Sequence, residues 1–156
     1  MYSMRLSKCV IYLALLTLQF IFADPPDWQD DPGSYEFVST IAGALVLNDG
    51  VQMGEEIDMF AAFDDAGEVR GLGILLFPPF GPYEGTPVWE MTTRSNDTGD
   101  ILSFNYYDAS EDAILDITET YEFVISQVVG DVMEPLVFTV GAPDLGCPEC
   151  VDVGLF

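Results

Sequence analysis

Apolar and polar positions alternate along most of the chain, in short bursts separated by turn residues. Tyr35, Phe37, Ile41, Leu45 and Leu47 share one face at a period of two, with Glu36 and Thr40 on the other. Asn48-Asp49-Gly50 ends that run with strong turn chemistry. Ile57 to Phe63 is short and apolar on both faces, which predicts a buried strand. The Asp64–Glu68 loop, with Gly67 suited to positive φ, returns the chain into a partner strand over Val69 to Phe77. Gly71 and Gly73 alternate within it and point to bulges or close backbone approach. Trp89 and Met91 face one way, and Glu90, Thr92 and Arg94 the other. Leu102, Phe104 and Tyr106 point inward from a strand over Ile101 to Asp108. Shorter strands follow around Ile114, at Tyr121, Phe123 and Ile125, and at Leu136, Phe138 and Val140.

No stretch beyond the first segment shows a helical period, so the expected fold is all-β. Seven or eight short strands with Gly, Asp, Asn and Pro turns predict an antiparallel β-sandwich, immunoglobulin-like or jelly-roll-like. Its core should include Trp89, Phe104, Tyr106, Phe123 and Phe138.

The first segment stands apart. Arg5 and Lys8 precede an apolar run of fourteen residues, Cys9 to Phe22, and Asp24-Pro25-Pro26-Asp27 breaks it. That is the layout of a secretory signal, with cleavage expected after Ala23; an uncleaved anchor is the alternative. The expected organisation is a signal peptide (1–23), a Pro/Asp-rich lead-in (24–34) anchored by Trp28, a β-sandwich domain (35–141), and a C-terminal tail (142–156).

Charge sharpens the picture. The 156 residues hold 27 acids against four bases and no His. Without residues 1–23, all 27 acids remain against Arg70 and Arg94 alone, a formal charge of −25. Two arginines cannot neutralise a phosphate backbone, and anionic membrane surfaces repel such a chain. Without His or Lys there is no Ser-His-Asp triad, Schiff base, P-loop or His-ligated zinc site. Carboxylate chemistry is the catalysis left, and no acid pair is singled out by spacing, so the chain is read as non-enzymatic. An apolar fraction of 49% still demands a packed core.

Cys147 and Cys150 lie in a Pro/Gly-rich tail beside Glu149. A disulfide between them is expected in a secreted chain, with a bridge between chains as the alternative. A redox role is disfavoured, because Glu149 would raise a thiol pKa.

Glu36 to Asn48 with its turn, Asp58-Met-Phe-Ala-Ala-Phe63, Val69-Arg70-Gly71, Ile101-x-x-Phe104-x-Tyr106-Tyr107-Asp108, Phe123 and Pro135 follow in order. This order resembles an all-β module, often in tandem, of secreted and surface proteins of marine bacteria and some microbial eukaryotes. There a D-x-x-A-A-F … R-G hairpin precedes an F-x-Y-Y-D strand. The resemblance covers roughly residues 35–140. It implies an extracellular, architectural or adhesive role. The module occurs here once, which favours self-assembly or a short binding role over a passive spacer.

Candidate chemistry concentrates in acidic turns. Asp64, Asp65 and Glu68, then Asp97 and Asp100, then Asp108 and Asp112 offer hard oxygen donors of the kind calcium takes. None matches an EF-hand loop, and plain Asp/Asn/Gly turns are the favoured explanation of each one, with calcium as the alternative. Arg70 is expected to form a structural ion pair holding the hairpin to another strand. Asn96-Asp97-Thr98 is a glycosylation sequon in a predicted loop. Phe80, Tyr83 and Trp89 around the Pro-rich loop suggest a sugar-stacking platform. The expected function is a secreted structural or adhesive protein that pairs with itself or other extracellular proteins; the alternative is a carbohydrate-binding module, with or without calcium.

Overall fold

The computed structural model describes residues 25–141. After a single 3-10 turn (Pro32–Ser34) come ten strands: β1 (Phe37–Asn48), β2 (Val51–Met53), β3 (Met59–Phe63), β4 (Val69–Leu76), β5 (Val88–Ser95), β6 (Ile101–Asp108), β7 (Ala113–Asp116), β8 (Tyr121–Glu122), β9 (Val128–Val129) and β10 (Leu136–Thr139). No α-helix occurs among the described residues, so the all-β expectation holds.

The strands form one curled sheet, a half-barrel in the order β10-β1-β5-β4-β3-β6-β7, with β2, β8 and β9 attached beside it. Pairing is antiparallel except where β9 and β10 run parallel to β1. A single bridge, Ile117 to Val140, links the two ends of the sheet.

The curl has a local cause in β4. Its first half pairs with β3 (Leu72 to Ala61, Gly71 to Ala62), and its second half pairs with β5 (Gly73 to Met91 through Leu76 to Val88). One strand thus turns the sheet's corner, and the turn falls at the two glycines. A Cβ on Gly73 would stand 2.9 Å from Trp89 Cε3 and 3.1 Å from Phe60 Cβ. The close approach expected from the Gly71/Gly73 alternation is therefore present.

Curling brings the two halves face to face. Phe138 of β10 lies 4.6 Å from Phe104 of β6 and 5.2 Å from Phe60 of β3, between ring centroids. Trp89 packs edge-on to Tyr106 at 5.8 Å. Trp89, Phe104, Tyr106, Phe123 and Phe138 are all buried, as the alternation required.

Three details differ from the sequence expectation. In β1 the register to β5 shifts between Ile41 and Ala44. After this bulge Ala44 and Val46 join the core cluster, not Leu45 and Leu47. Gly43 sits in the bulge, and a Cβ there would come within 2.3 Å of the Asp131 carbonyl, so the bulge lets the 130–134 turn press against the strand. The strand expected from Ile57 starts at Met59, and Ile57 is exposed. The strand expected through Tyr121, Phe123 and Ile125 is two residues long: Phe123 is buried but Ile125 is not.

Candidate functional site

Two of the three acidic turns meet at one corner, and Arg70 is the reason. Asp64 directly follows β3, and its Oδ1 accepts the backbone N–H groups of Ala66 (2.9 Å) and Glu68 (2.8 Å), which fixes the turn. Its Oδ2 accepts Arg70 Nε at 2.9 Å. Burial raises the pKa of the Asp64 carboxyl, but the Glu68 and Ala66 donors and the Arg70 charge outweigh it, so the group is held below the usual carboxylate range. Arg70 Nη1 donates to the Arg94 carbonyl of β5 at 3.3 Å and stands 3.9 Å from Asp100 Oδ2. Arg70 therefore ties the β3–β4 hairpin to β5 where β4 has turned away.

A pocket of about 300 Å³ opens beside it, lined by Asp64, Asp65, Arg70, Gly99, Asp100 and Ile101. Its rim is acidic and its centre is already neutralised by a guanidinium. A hard cation there would have to displace Arg70, whose Nε and Nη1 donate to Asp64 and to the Arg94 carbonyl.

The lead-in crosses this corner as a strap. Trp28 meets Phe63 edge-on, with centroids 5.3 Å apart. Both Asp30 carboxylate oxygens accept Arg94 Nε, at 2.9 and 3.0 Å. The Tyr35 ring lies under Arg70, 4.3 Å from Cζ. Asn96 Oδ1 accepts Glu36 N at 2.9 Å, and its Nδ2 donates to the Ser34 carbonyl at 3.2 Å. The sequon asparagine is exposed, yet both ends of its amide hold the chain at Ser34 and Glu36, between the strap and β1. Asp97 and Glu68 are exposed on the loops beside it.

The third acidic turn is elsewhere. β6 separates Asp100 from Asp108 by about 25 Å of strand. Asp108 Oδ1 caps its own turn, accepting Ser110 N, Ser110 Oγ and Glu111 N at 2.9, 2.7 and 3.2 Å. Asp112 Oδ1 accepts the Tyr107 hydroxyl at 3.0 Å. Asp58, which the pattern absorbed into a strand, was missed as a polar hub. Its carboxylate accepts the buried Tyr106 hydroxyl, Glu55 N (2.8 Å) and Ala109 N (3.0 Å). Burial and then the Asp58 hydrogen bond push the Tyr106 hydroxyl pKa far up. Among the described residues, no three His, Cys, Asp or Glu side chains are placed to hold a metal together.

Trp89 leaves the proposed sugar platform, because it is 1% exposed and its Nε1 donates to the Met53 carbonyl. Phe80 is exposed and Tyr83 half-buried, and Phe77 is exposed beside them. Cys147 and Cys150 lie outside the described residues.

No family model, curated protein or solved structure matches the chain.

Proposed function

We propose that the chain is a secreted, non-enzymatic structural or adhesive protein that associates with its own kind or with other extracellular proteins. In this reading the curled sheet serves as a two-faced, sandwich-like building block, in keeping with the module its motifs resemble.

One observation carries the reading: apolar side chains stand open on the convex face, at Ile74 of β4 and at Ile114 of β7, the last strand of the sheet. Met59, Tyr107 and Ile114 pair in register across β3, β6 and β7, all on the face opposite the core; Tyr107 is buried there, and Ile114 is exposed. Ala61 lies beside Met59 on that face and pairs with Leu72 of β4, and Ile74 shares the face of Leu72. Ile74 and Ile114 are 61% and 53% exposed. The two ends of the sheet meet only at the close of β7 and past it, where the Asp116 carbonyl accepts Gly141 N and Ile117 bridges Val140; along residues 113–115 no strand of the described residues pairs on the outer side, and that stretch is the edge open to a partner strand. Asp58, Asp64, Asp108 and Asp112 use their oxygens on backbone and side-chain donors of the fold, which favours a structural role for them over catalysis.

Light scattering and electron microscopy across protein concentration at seawater-like ionic strength test the reading. Oligomers or filaments that Ile114→Lys disperses support it, and a monomer under every condition overturns it. The exposed rings of Phe77 and Phe80 support carbohydrate binding as the second reading. A compact monomer retained on a glycan array, and released by Phe80→Ala, would favour it.

A further inference from the structure

The strap is held to the sheet as a bound peptide is held to a receptor. Among the described residues, residues 25–31 make no backbone hydrogen bond to any strand; their two backbone bonds are local, Trp28 N to the Pro26 carbonyl and Ser34 N to the Asp31 carbonyl. Their grip on the fold is an aromatic anchor, Trp28 on Phe63, and a carboxylate, Asp30, on Arg94. The charges match: the strap carries Asp27, Asp30 and Asp31, and the corner holds Arg70 and Arg94, the two bases beyond residue 8. Elsewhere this surface is acidic, so the corner is the one place among the described residues where an acidic peptide is drawn in.

The strap also has a place to swing. Asp31, Pro32, Gly33 and Ser34 form one tight turn, closed by Gly33 N and Ser34 Oγ donating to the Asp31 carboxylate at 3.1 and 2.7 Å. Beyond it Tyr35 and Glu36 are fixed separately, on Arg70 and Asn96. Rotation at Pro32-Gly33 would free Trp28 and Asp30 without disturbing β1. A short hinge between a fixed sheet and a side-chain-anchored segment is the arrangement from which segments exchange between copies.

We infer that the corner formed by Phe63 and Arg94 receives the Trp28–Asp30 strap of a second copy of this chain, the same contacts closing within one copy or linking two. This rests on the self-association reading and names a junction for it. Exchange leaves the number of contacts unchanged, so the balance is set by chain concentration against the local concentration of the tethered strap. Because each copy donates one strap and receives one, successive exchange produces either a closed pair or a chain of copies. Salt has two opposed effects: it screens the repulsion between two highly acidic bodies and weakens the Asp30–Arg94 pair.

Complementation tests it. Trp28→Ala has a defective strap and an intact corner, whereas Arg94→Gln has an intact strap and a defective corner. Each alone should stay monomeric in native mass spectrometry. Mixed in equal amounts, with one isotopically labelled, they should give a dimer containing one copy of each, since only that pairing restores a sound strap on a sound corner. If Trp28→Ala does not fold, as judged by its thermal transition, Asp30→Asn takes its place. Monomers alone in the mixture, or homodimers of either variant as abundant as the mixed dimer, would overturn the inference. The self-association reading is judged separately on the wild-type chain. A wild type that assembles while the mixture stays monomeric keeps that reading and removes this junction. A mixed dimer beside a monomeric wild type keeps the junction and removes the reading.

Discussion

Arg70 lies over the ring of Tyr35, 4.3 Å from Cζ to the centroid, while its edge donates to Asp64 and to the Arg94 carbonyl. One guanidinium thus joins Tyr35 at the approach to β1, the β3–β4 hairpin and β5. Its face is covered by an aromatic ring and its edge is committed to oxygens, so lysine could not reproduce the contact.

Replacing Arg70 should therefore loosen three elements at once. Arg70→Gln is expected to cost about 1–3 kcal/mol in urea unfolding, because the partly buried Asp64 carboxylate loses its charged donor. Arg70→Lys should recover only part of that, since the ring contact and the fork geometry are lost.

Acid should destabilise the fold through Asp64. Its folded pKa lies below the unfolded value of about 3.9, so its stabilisation is complete above that value and is lost as pH falls through the folded one. Asp131 shifts the same way, its carboxylate accepting Glu134 N and Met133 N. Asp64→Asn should start less stable at neutral pH and lose less between about pH 5 and 2 than wild type. Parallel acid limbs in the two proteins would contradict this.

Base acts through Tyr106. Its folded pKa is raised, so its contribution is intact below the unfolded value near 10 and drains away as pH climbs beyond it. Phenolate absorbance from Tyr106 should appear only with unfolding. In Tyr106→Phe the alkaline midpoint should move up relative to that protein's own neutral stability.

Two core substitutions should separate overpacking from cavity formation. Gly73→Ala forces a methyl against Trp89 and Phe60 and should cost about 1–3 kcal/mol. Phe104→Ala removes a ring that touches Phe60 and Phe138 and should cost about 3–5 kcal/mol. Ile114→Ala on the convex face should change monomer stability by about 0.5 kcal/mol or less. Urea midpoints for the three variants check the order.

Sodium chloride alone should stabilise the protein between 0.01 and 0.15 M, as the Debye length falls from about 30 to 8 Å and carboxylate repulsion weakens. Calcium at equal ionic strength should add no separate gain at Asp64 or Asp108, whose oxygens already accept hydrogen bonds from the protein. A rise in thermal midpoint with calcium that Asp64→Asn or Asp108→Asn abolishes would show that the metal displaces those donors.

The strands with strict alternation were legible: Trp89 and Met91 in β5, and Leu102, Phe104 and Tyr106 in β6, face the core where the period places them. In β1 the period survives only to the bulge, because one extra residue near Gly43 reverses every later side chain and nothing in the apolar pattern marks that point. The parallel placement of β9 and β10 was not legible either, since two- and four-residue strands carry too little pattern to reveal a partner far away in sequence. At the candidate site, Asp64 and Arg70 were visible as a turn acid and a rare cation. Phe63 as the seat for Trp28 was not, because that contact joins a lead-in without periodicity to the end of a strand.

The parallel pair of β1 and β10 has a mechanical consequence. The chain enters the sheet at the start of β1 and leaves it at the end of β10, and the two strands run side by side in the same direction, from Ala44 opposite Leu136 to Leu47 opposite Thr139. Tension applied to the two ends of the domain therefore pulls these neighbours in opposite directions along their length. The bonds between them are loaded together in shear, not opened one after another like a zipper. A body that must hold under drag, as a link in a fibre or a tether on a surface does, is strongest when pulled along that axis.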